Sequence, residues 1–441
     1  VVKGLANVNT RIGFNSNWHL LQALFSFHYF PGGPVNNING LLLLIAFPYS
    51  LGGLKQLMRK DYRLSMIIRS LLFIPLIAFH FGASSDYIFF NVNFISSPSA
   101  DIAVCVLLWL LFTWLIELDG ATAGVYYRKA LAIILLTVFL FTVKPSSAPM
   151  LIAWVFFFFG FILKKRKRLA MFAMITAIVV IGPWMIRNVL ISGYVLFPFD
   201  GIDVVQADWK LPVQHVKWHA NAVKVYAIDP GYDLNKPLIL STAEWFPGWF
   251  ERLGFIQVVM FASALVSLFV CMIVFLFQAA KNGKDFMFAR KHTILAVCIM
   301  FAGIIFWFLK GPDFRLGYGF VAMPTILVLA FMLQYFLGPD AKYAAYLFIS
   351  VMACIMLYHY RLAWKEMPKA IVAAPAERRQ PDSVKQVIMS NGILMNIIFS
   401  DDSWFAPLPV ANNNEFYTVK PVLRGKTIRE GFKPSVKRKT E

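Results

Sequence analysis

The sequence is poor in cysteine, poor in charge, and poorer in acidic than in basic residues. Its four cysteines, Cys105, Cys271, Cys298 and Cys354, all fall within apolar runs, and none forms a Cys-x-x-Cys pair. That pattern excludes a disulfide frame and a cysteine-based zinc site, and it reads as four small buried hydrophobes. Charged residues make up only 15% of the 441 positions, against 59% hydrophobic. A water-soluble domain has nowhere to hide that much apolar surface, so a soluble class is excluded. Gly-x-x-x-x-Gly-Lys and Gly-x-Gly-x-x-Gly phosphate cradles are both missing, which argues against a nucleotide-driven machine. No internal repeat is visible, and no pair of interrupted helices of the kind inverted-repeat transporters carry.

What the chain has instead is long apolar runs. A membrane span needs roughly 20 such residues. Ten runs qualify, at 38–56, 64–81, 99–117, 129–143, 147–163, 169–187, 254–279, 292–309, 319–337 and 343–360. The fold class expected is an all-α polytopic membrane protein. The formal charge of +19 would suit a nucleic-acid partner, but the basic residues cluster between runs, as in "KQLMRKDYR", "KKRKR" and "KNGKDFMFARK". Alternate connections (55–63, 118–129, 164–168, 280–291 and 338–342) hold sixteen Lys and Arg, whereas the short loops of the other set hold five. The basic set is therefore expected in the cytoplasm, and no nucleic acid is expected as partner. The reading divides the chain into an outward segment 1–37, six spans over 38–187, a large outward loop 188–252, four spans over 253–360, and an outward C-terminal subdomain 361–441.

Charges on the outward side are few. Lys144 stands in "FTVKPSSAP", where Pro145 and Pro149 break the helix; it either snorkels to the interface or binds an anionic headgroup. Arg187 and Asn188 close the sixth run, and the planar fork of Arg187 suits phosphate as well as an interfacial anchor. "KGPDFRLGYGF" supplies Lys310, Asp313 and Arg315, the last two also able to pair with each other. The carboxylates are Asp86, Asp101, and Asp200, Asp203 and Asp208 in the large loop. Asp101 follows a Ser-Pro-Ser helix start, so helix capping competes with a role as general base or as an oxygen ligand to a divalent metal. His215 and His219, four residues apart, are a weak metal pair. "STAEWFPGWFERLGF" reads as an interfacial aromatic helix. If the three cation-bearing hairpins converge, they form a site for a phosphate at the outer leaflet.

"PWMIRNVLISGYVLFP" resembles a segment that recurs in bacterial polytopic glycosyltransferases of the GT-C superfamily. "GLANVNTRIGFNSNWHLLQALFS", "ISSPSADIA", "GPDFRLGYGF" and "LRGKTIREGF" resemble an uncharacterised family of bacterial integral membrane proteins with that architecture, over most of the chain. The resemblance implies an enzyme of glycan biosynthesis in the cell envelope. It would be a multi-pass protein of the bacterial cytoplasmic membrane that moves a sugar from a polyprenyl-phosphate donor to an acceptor at the outer face. It implies Asp101 as a catalytic carboxylate and Lys144 and Arg315 as ligands of the carrier phosphate, to which the outward charges add Asp86 as a second carboxylate and Arg187 and Lys310 as further phosphate ligands. Asn188, Asp313 and Tyr318 would support them, with Pro324 completing the Arg-x-x-Tyr…Pro pattern. The principal carboxylate of such enzymes would precede Val1. Two other functions compete: a transporter or flippase of lipid-linked saccharide, and an assembly subunit that binds a protein through loop 188–252 or the 361–441 tail. The first needs polar span interiors, which runs such as "GFIQVVMFASALVSLFVCMIVFLF" lack.

Overall fold

The computed structural model describes residues 2–25, 38–76, 99–229, 240–337, a few positions between 343 and 354, 384–389, 392–399 and 410–435. The chain forms two compact units. One comprises Val1–Asn15, Val179–Ile239 and Val372–Glu441, and the other Ser16–Ile178 and Leu240–Ile371.

Among the described residues, eight helices are long and apolar enough to cross a membrane: Asn39–Met58, Ala100–Glu117, Ala123–Val143, Pro145–Leu163, Lys167–Ser192, Gln257–Ala289, Lys291–Lys310 and Phe314–Tyr335. They match eight of the ten expected spans. The expected span 64–81 is seen as the shorter helix Leu64–Leu76, its remainder lying outside the described residues. Most of 343–360 lies outside them as well. Leu163, Ile178, Ile186, Val266 and Phe277 lie on these helices with most of their side-chain surface uncovered. Apolar surface of that extent on helices of this length is covered by lipid, so this is a multi-pass membrane protein. Two cysteines depart from expectation: Cys105 and Cys271 are buried, but Cys298 and Cys354 are exposed. Cys298 sits within a candidate span, and an apolar run does not say which of its faces turns inward.

The Ala100–Glu117 helix is central, with 83% of its apolar window buried, followed by Phe314–Tyr335 with 67%. The sequence "ADIAVCVLLWLLFTWLIE" has no glycine or proline and is apolar on all sides, as a helix surrounded by other helices must be. Gly317 brings the Phe314–Met332 helix close to the preceding one. A Cβ there would lie 2.5 Å from the Trp307 ring, an atom overlap that requires the indole to move. Gly317→Ala is expected to lower stability by ~1–3 kcal/mol through overpacking, measured by denaturation in detergent. The long helix Phe255–Ala289 is interrupted at Gly283, whose φ of 61° and ψ of −145° only glycine adopts readily.

The other unit is built from the N-terminal segment, the end of the Lys167–Ser192 helix, the Val213–Ile228 helix and the C-terminal tail. The tail carries five short strands, which no sequence pattern announced. β1 (Val384–Ile388) runs antiparallel to β2 (Leu394–Ile398), β2 parallel to β3 (Val410–Asn412), and β4 (Pro421–Leu423) antiparallel to β5 (Phe432–Pro434). Val8, Met395, Ile397, Ala411 and Phe432 form one core, and Ala6, Ile191, Tyr194, Phe197 and Val216 another. Backbone bonds stitch the N-terminus in, from Gly4 N to Leu190 O (2.7 Å) and from Phe432 N to Lys3 O (2.9 Å).

Within this unit His219 is buried and shares a hydrogen bond with the Thr10 hydroxyl. The rings of Trp218, Phe14 and Phe197 surround it at 4.8, 5.5 and 5.6 Å. Burial, with the nearby charges of Arg11 and His215, pushes its pKa down to about 4. The unfolded chain therefore takes up this proton near pH 6.5 and the folded chain only near 4. Stability from this residue is complete above about pH 6.5 and is lost as pH falls towards 4. Thermal unfolding should show that loss, of order 2 kcal/mol, and His219→Phe should flatten it.

Candidate functional site

Three chain breaks in the helical unit meet at one point. The first is the start of the Ala100–Glu117 helix. Ser99 caps it, its Oγ accepting from Asp101 N at 3.2 Å and donating to Asp101 Oδ2 at 2.9 Å. The second is the end of the Ala123–Val143 helix. Lys144 precedes Pro145, and a residue in that place is driven out of the helical region. Its φ and ψ of −156° and 122° are extended, and the Nζ reaches Asp101 Oδ1 in an ion pair. The third is the start of the Phe314–Met332 helix, where Asp313 caps by accepting from Arg315 N at 2.9 Å. Asp101 and Arg315 both occupy the second helical position behind their caps. That location places the Asp101 carboxylate at the positive end of a helix dipole.

Asp101 is thereby engaged on both oxygens. Oδ1 holds Lys144, while Oδ2 accepts from Ser99 and lies 3.6 Å from Arg315 Nε. Its side chain is only 6% exposed, against 29% for Lys144 and 39% for Arg315. Arg315 also lies 3.4 Å from Asp313 Oδ2. Neither contact makes a hydrogen bond, and among the described residues no group accepts from the Arg315 side chain. Its Nε is a buried donor without an acceptor, and the neighbouring Ser146 Oγ is another unpartnered polar atom. A guanidinium tethered between two carboxylates yet hydrogen-bonded to neither keeps its fork of N–H groups for an incoming anion.

A polar scaffold that the sequence did not point to fixes these breaks. Ser16 Oγ donates to Val143 O at 2.7 Å, Asn17 Nδ2 to Thr142 Oγ1 at 2.7 Å, and Trp18 Nε1 to Asn39 Oδ1 at 3.0 Å. Asn39 Nδ2 in turn donates to Ser99 O at 2.9 Å. Around the third break Trp249 Nε1 donates to Pro312 O (3.0 Å) and Trp307 Nε1 to Asp313 O (2.7 Å). "STAEWFPGWFERLGF" does form a helix, Thr242–Glu251, but its Trp245 and Trp249 are buried instead of lying at the headgroups. One signal was available in principle: polar residues at the edges of apolar runs, such as Ser16, Asn17 and Asn39, must find partners inside the protein.

The other expected site residues are placed differently. Trp184, Arg187 and Asn188, at i, i+3 and i+4 on one helical face, all close on Asn15 of their own unit, the one that contains the N-terminal segment. Trp184 Nε1 donates to Asn15 O at 2.9 Å, Arg187 Nε donates to Asn15 Oδ1, and Asn15 Nδ2 donates to Asn188 Oδ1 at 2.7 Å. Arg187, expected as a phosphate ligand, thus spends one of its N–H groups on an amide oxygen. Asn188 is fully buried and donates to Val195 O at 2.9 Å. Lys310 ends its helix exposed, where a cation complements the helix dipole. Tyr318 is buried, its ring 5.5 Å from Trp109. Asp200, Asp203 and Asp208 are paired with Lys217, Lys210 and Arg424. Asp86 lies outside the described residues. Among the described residues no three His, Cys, Asp or Glu side chains cluster so as to hold a metal ion. The two cations against Asp101 would repel a divalent one.

Residues 1–322 match a family described as a domain of unknown function (DUF8201). The chain belongs to that family. The match takes in Asp101, Lys144 and Arg315 and stops short of the tail. Neither the curated proteins nor the solved structures give a match.

Proposed function

We propose that this chain is a polytopic membrane glycosyltransferase of the GT-C type in the bacterial cytoplasmic membrane. In this reading it takes a sugar from a polyprenyl-phosphate carrier at the outer leaflet. The acceptor hydroxyl oxygen bonds to the anomeric carbon, the bond from that carbon to the phosphate oxygen breaks, and the lipid phosphate departs with the electron pair and takes up the hydroxyl proton. The observation that carries the reading is the unused guanidinium of Arg315, held beside Lys144 at the end of an apolar helix bundle. Cations fixed in advance where charge builds on a leaving group are the most effective stabilisers of such a transition state. Asp101, with both oxygens engaged by cations and by Ser99, acts here as a positioning residue that aims Lys144 and Arg315.

The test is reconstitution in nanodiscs with a labelled polyprenyl-phosphate sugar. Saturable carrier binding with label moving to an added glycan acceptor supports the proposal, and absence of carrier binding sinks it. A second reading is favoured by the engagement of Asp101, whose two oxygens are both taken up by Lys144, Ser99 and Arg315. In that reading the same cations hold the carrier phosphate during translocation. Labelled carrier crossing a vesicle bilayer with no change in any glycan would establish it.

A further inference from the structure

The Ala100–Glu117 helix is ~27 Å long, and a second built feature lies just past its other end. Leu118–Ala121, the first turns of the Ala123–Val143 helix, Lys164, Phe288 and Ala289, and Lys291 and His292 line an open cleft of about 370 Å³. That is within the range of small-molecule sites. The cleft lies on the face where the connections are rich in Lys and Arg, opposite Asp101.

Its chemistry is specific. Asp119 is the only carboxylate in the lining, and it is fully committed. It accepts from His292 N (3.1 Å), Thr293 N (3.0 Å), Thr293 Oγ1 (2.6 Å) and His292 Nδ1 (2.8 Å). Burial pushes this carboxyl up, but those four bonds outweigh burial and hold it below the usual range. It therefore caps the Lys291–Lys310 helix and fixes one ring nitrogen of His292. The His292 side chain is itself only 2% exposed, its ring packed against those of Tyr126, Phe156 and Phe157 at 5.4, 5.9 and 6.2 Å, so it braces the floor of the cleft. Lys164 and Lys291 line the same cleft, and Lys164 Nζ lies 5.6 Å over the Tyr126 ring. Lys129, close by in sequence, is instead neutralised by Glu117. Orientation in the membrane requires basic loops, but it does not require two lysines gathered around one aromatic-walled cleft.

We infer that this cleft binds a phosphate group, with Lys164 and Lys291 supplying charge and Tyr126 and Tyr127 the walls. The phosphate belongs either to a soluble phosphorylated molecule or to an anionic lipid headgroup. This site is independent of Asp101 and Arg315, so its failure leaves the proposed transfer site standing.

The full-length protein in phosphatidylcholine nanodiscs is titrated with inorganic pyrophosphate, and in a parallel arm phosphatidic acid replaces part of the lipid. Saturable binding, read as a rise in unfolding temperature, is expected in one arm. Pyrophosphate alone identifies the soluble source and phosphatidic acid alone the lipid. Lys164→Gln with Lys291→Gln should weaken binding ~10-fold or more, since each removes a charge-assisted contact. Lys165→Gln with Lys167→Gln takes the same charge from residues that do not line the cleft, and should leave binding within ~2-fold. No saturable binding in either arm, or equal losses in the two double variants, overturns the inference.

Discussion

Replacing Arg315 by alanine should abolish sugar transfer and leave the protein as stable as before, or slightly more so. The two halves of that expectation share one cause. Arg315 makes no side-chain hydrogen bond, its ion-pair distances are 3.4 and 3.6 Å, and its buried Nε has no acceptor. Half-exposed pairs at such distances contribute ~0–1 kcal/mol to folding. An unsatisfied buried donor costs a comparable amount, so its removal leaves a net change near zero. In the transition state the leaving phosphate would supply the missing acceptor. Loss of one fixed donor to developing charge typically lowers kcat by ~10²–10³-fold. Arg315→Lys keeps the charge but not the planar fork, and should recover only part of the rate. The measurements are initial rates of transfer in nanodiscs and unfolding temperature for the three proteins. Full transfer activity in Arg315→Ala would remove Arg315 from the mechanism. A large drop in unfolding temperature would show that its role is structural.

The amount of this arrangement that could be read in advance differs from residue to residue. The spans were legible because composition and length decide them, and the break at Lys144 was legible because Pro145 dictates the backbone before it. The four candidate cations, Lys144, Arg187, Lys310 and Arg315, were legible as isolated charges beside apolar runs. Which of them meet was not. Lys144 and Asp101 are 43 residues apart, and Arg315 arrives from a helix much later in the chain, so only packing brings them together. Arg187 shows the limit most clearly. A guanidinium that suits phosphate suits the Asn15 amide oxygen equally, and the helical spacing of Trp184, Arg187 and Asn188 reveals a shared face without saying what sits on it. Trp249 and Trp307 were hidden for a related reason: an indole near a span end fits a headgroup or a carbonyl equally well, and here carbonyls of the 312–313 turn take both. The tail strands of three to five residues are too short for a two-residue period to stand out from chance.

Asp101 should behave as the opposite of Arg315, with stability and activity falling together when it is changed. Its carboxylate is the counter-charge for both cations and sits almost wholly buried, so Asp101→Ala leaves Lys144 and Arg315 facing each other across an empty space. Removing one partner of a buried pair costs ~3–5 kcal/mol, and the partial exposure of Lys144 puts the expected loss near the lower end. Lys144→Met should cost less, because Asp101 retains Ser99 and Arg315 on its second oxygen. If the Asp101–Lys144 contact is what matters, the combined Asp101→Asn and Lys144→Met protein will be more stable than the sum of the two losses, by ~1–3 kcal/mol of coupling. The same cycle run with Arg315→Ala should give well under 1 kcal/mol, as its looser geometry implies. Chemical denaturation in detergent measures all of these. Kinetics separate positioning from direct chemistry. A residue that only aims Lys144 and Arg315 should, when changed to Asn, raise KM for the lipid donor as well as lower kcat, because both binding and transfer draw on the same two cations. A pure kcat effect with KM untouched would instead identify Asp101 as the proton acceptor, working only once the donor is in place.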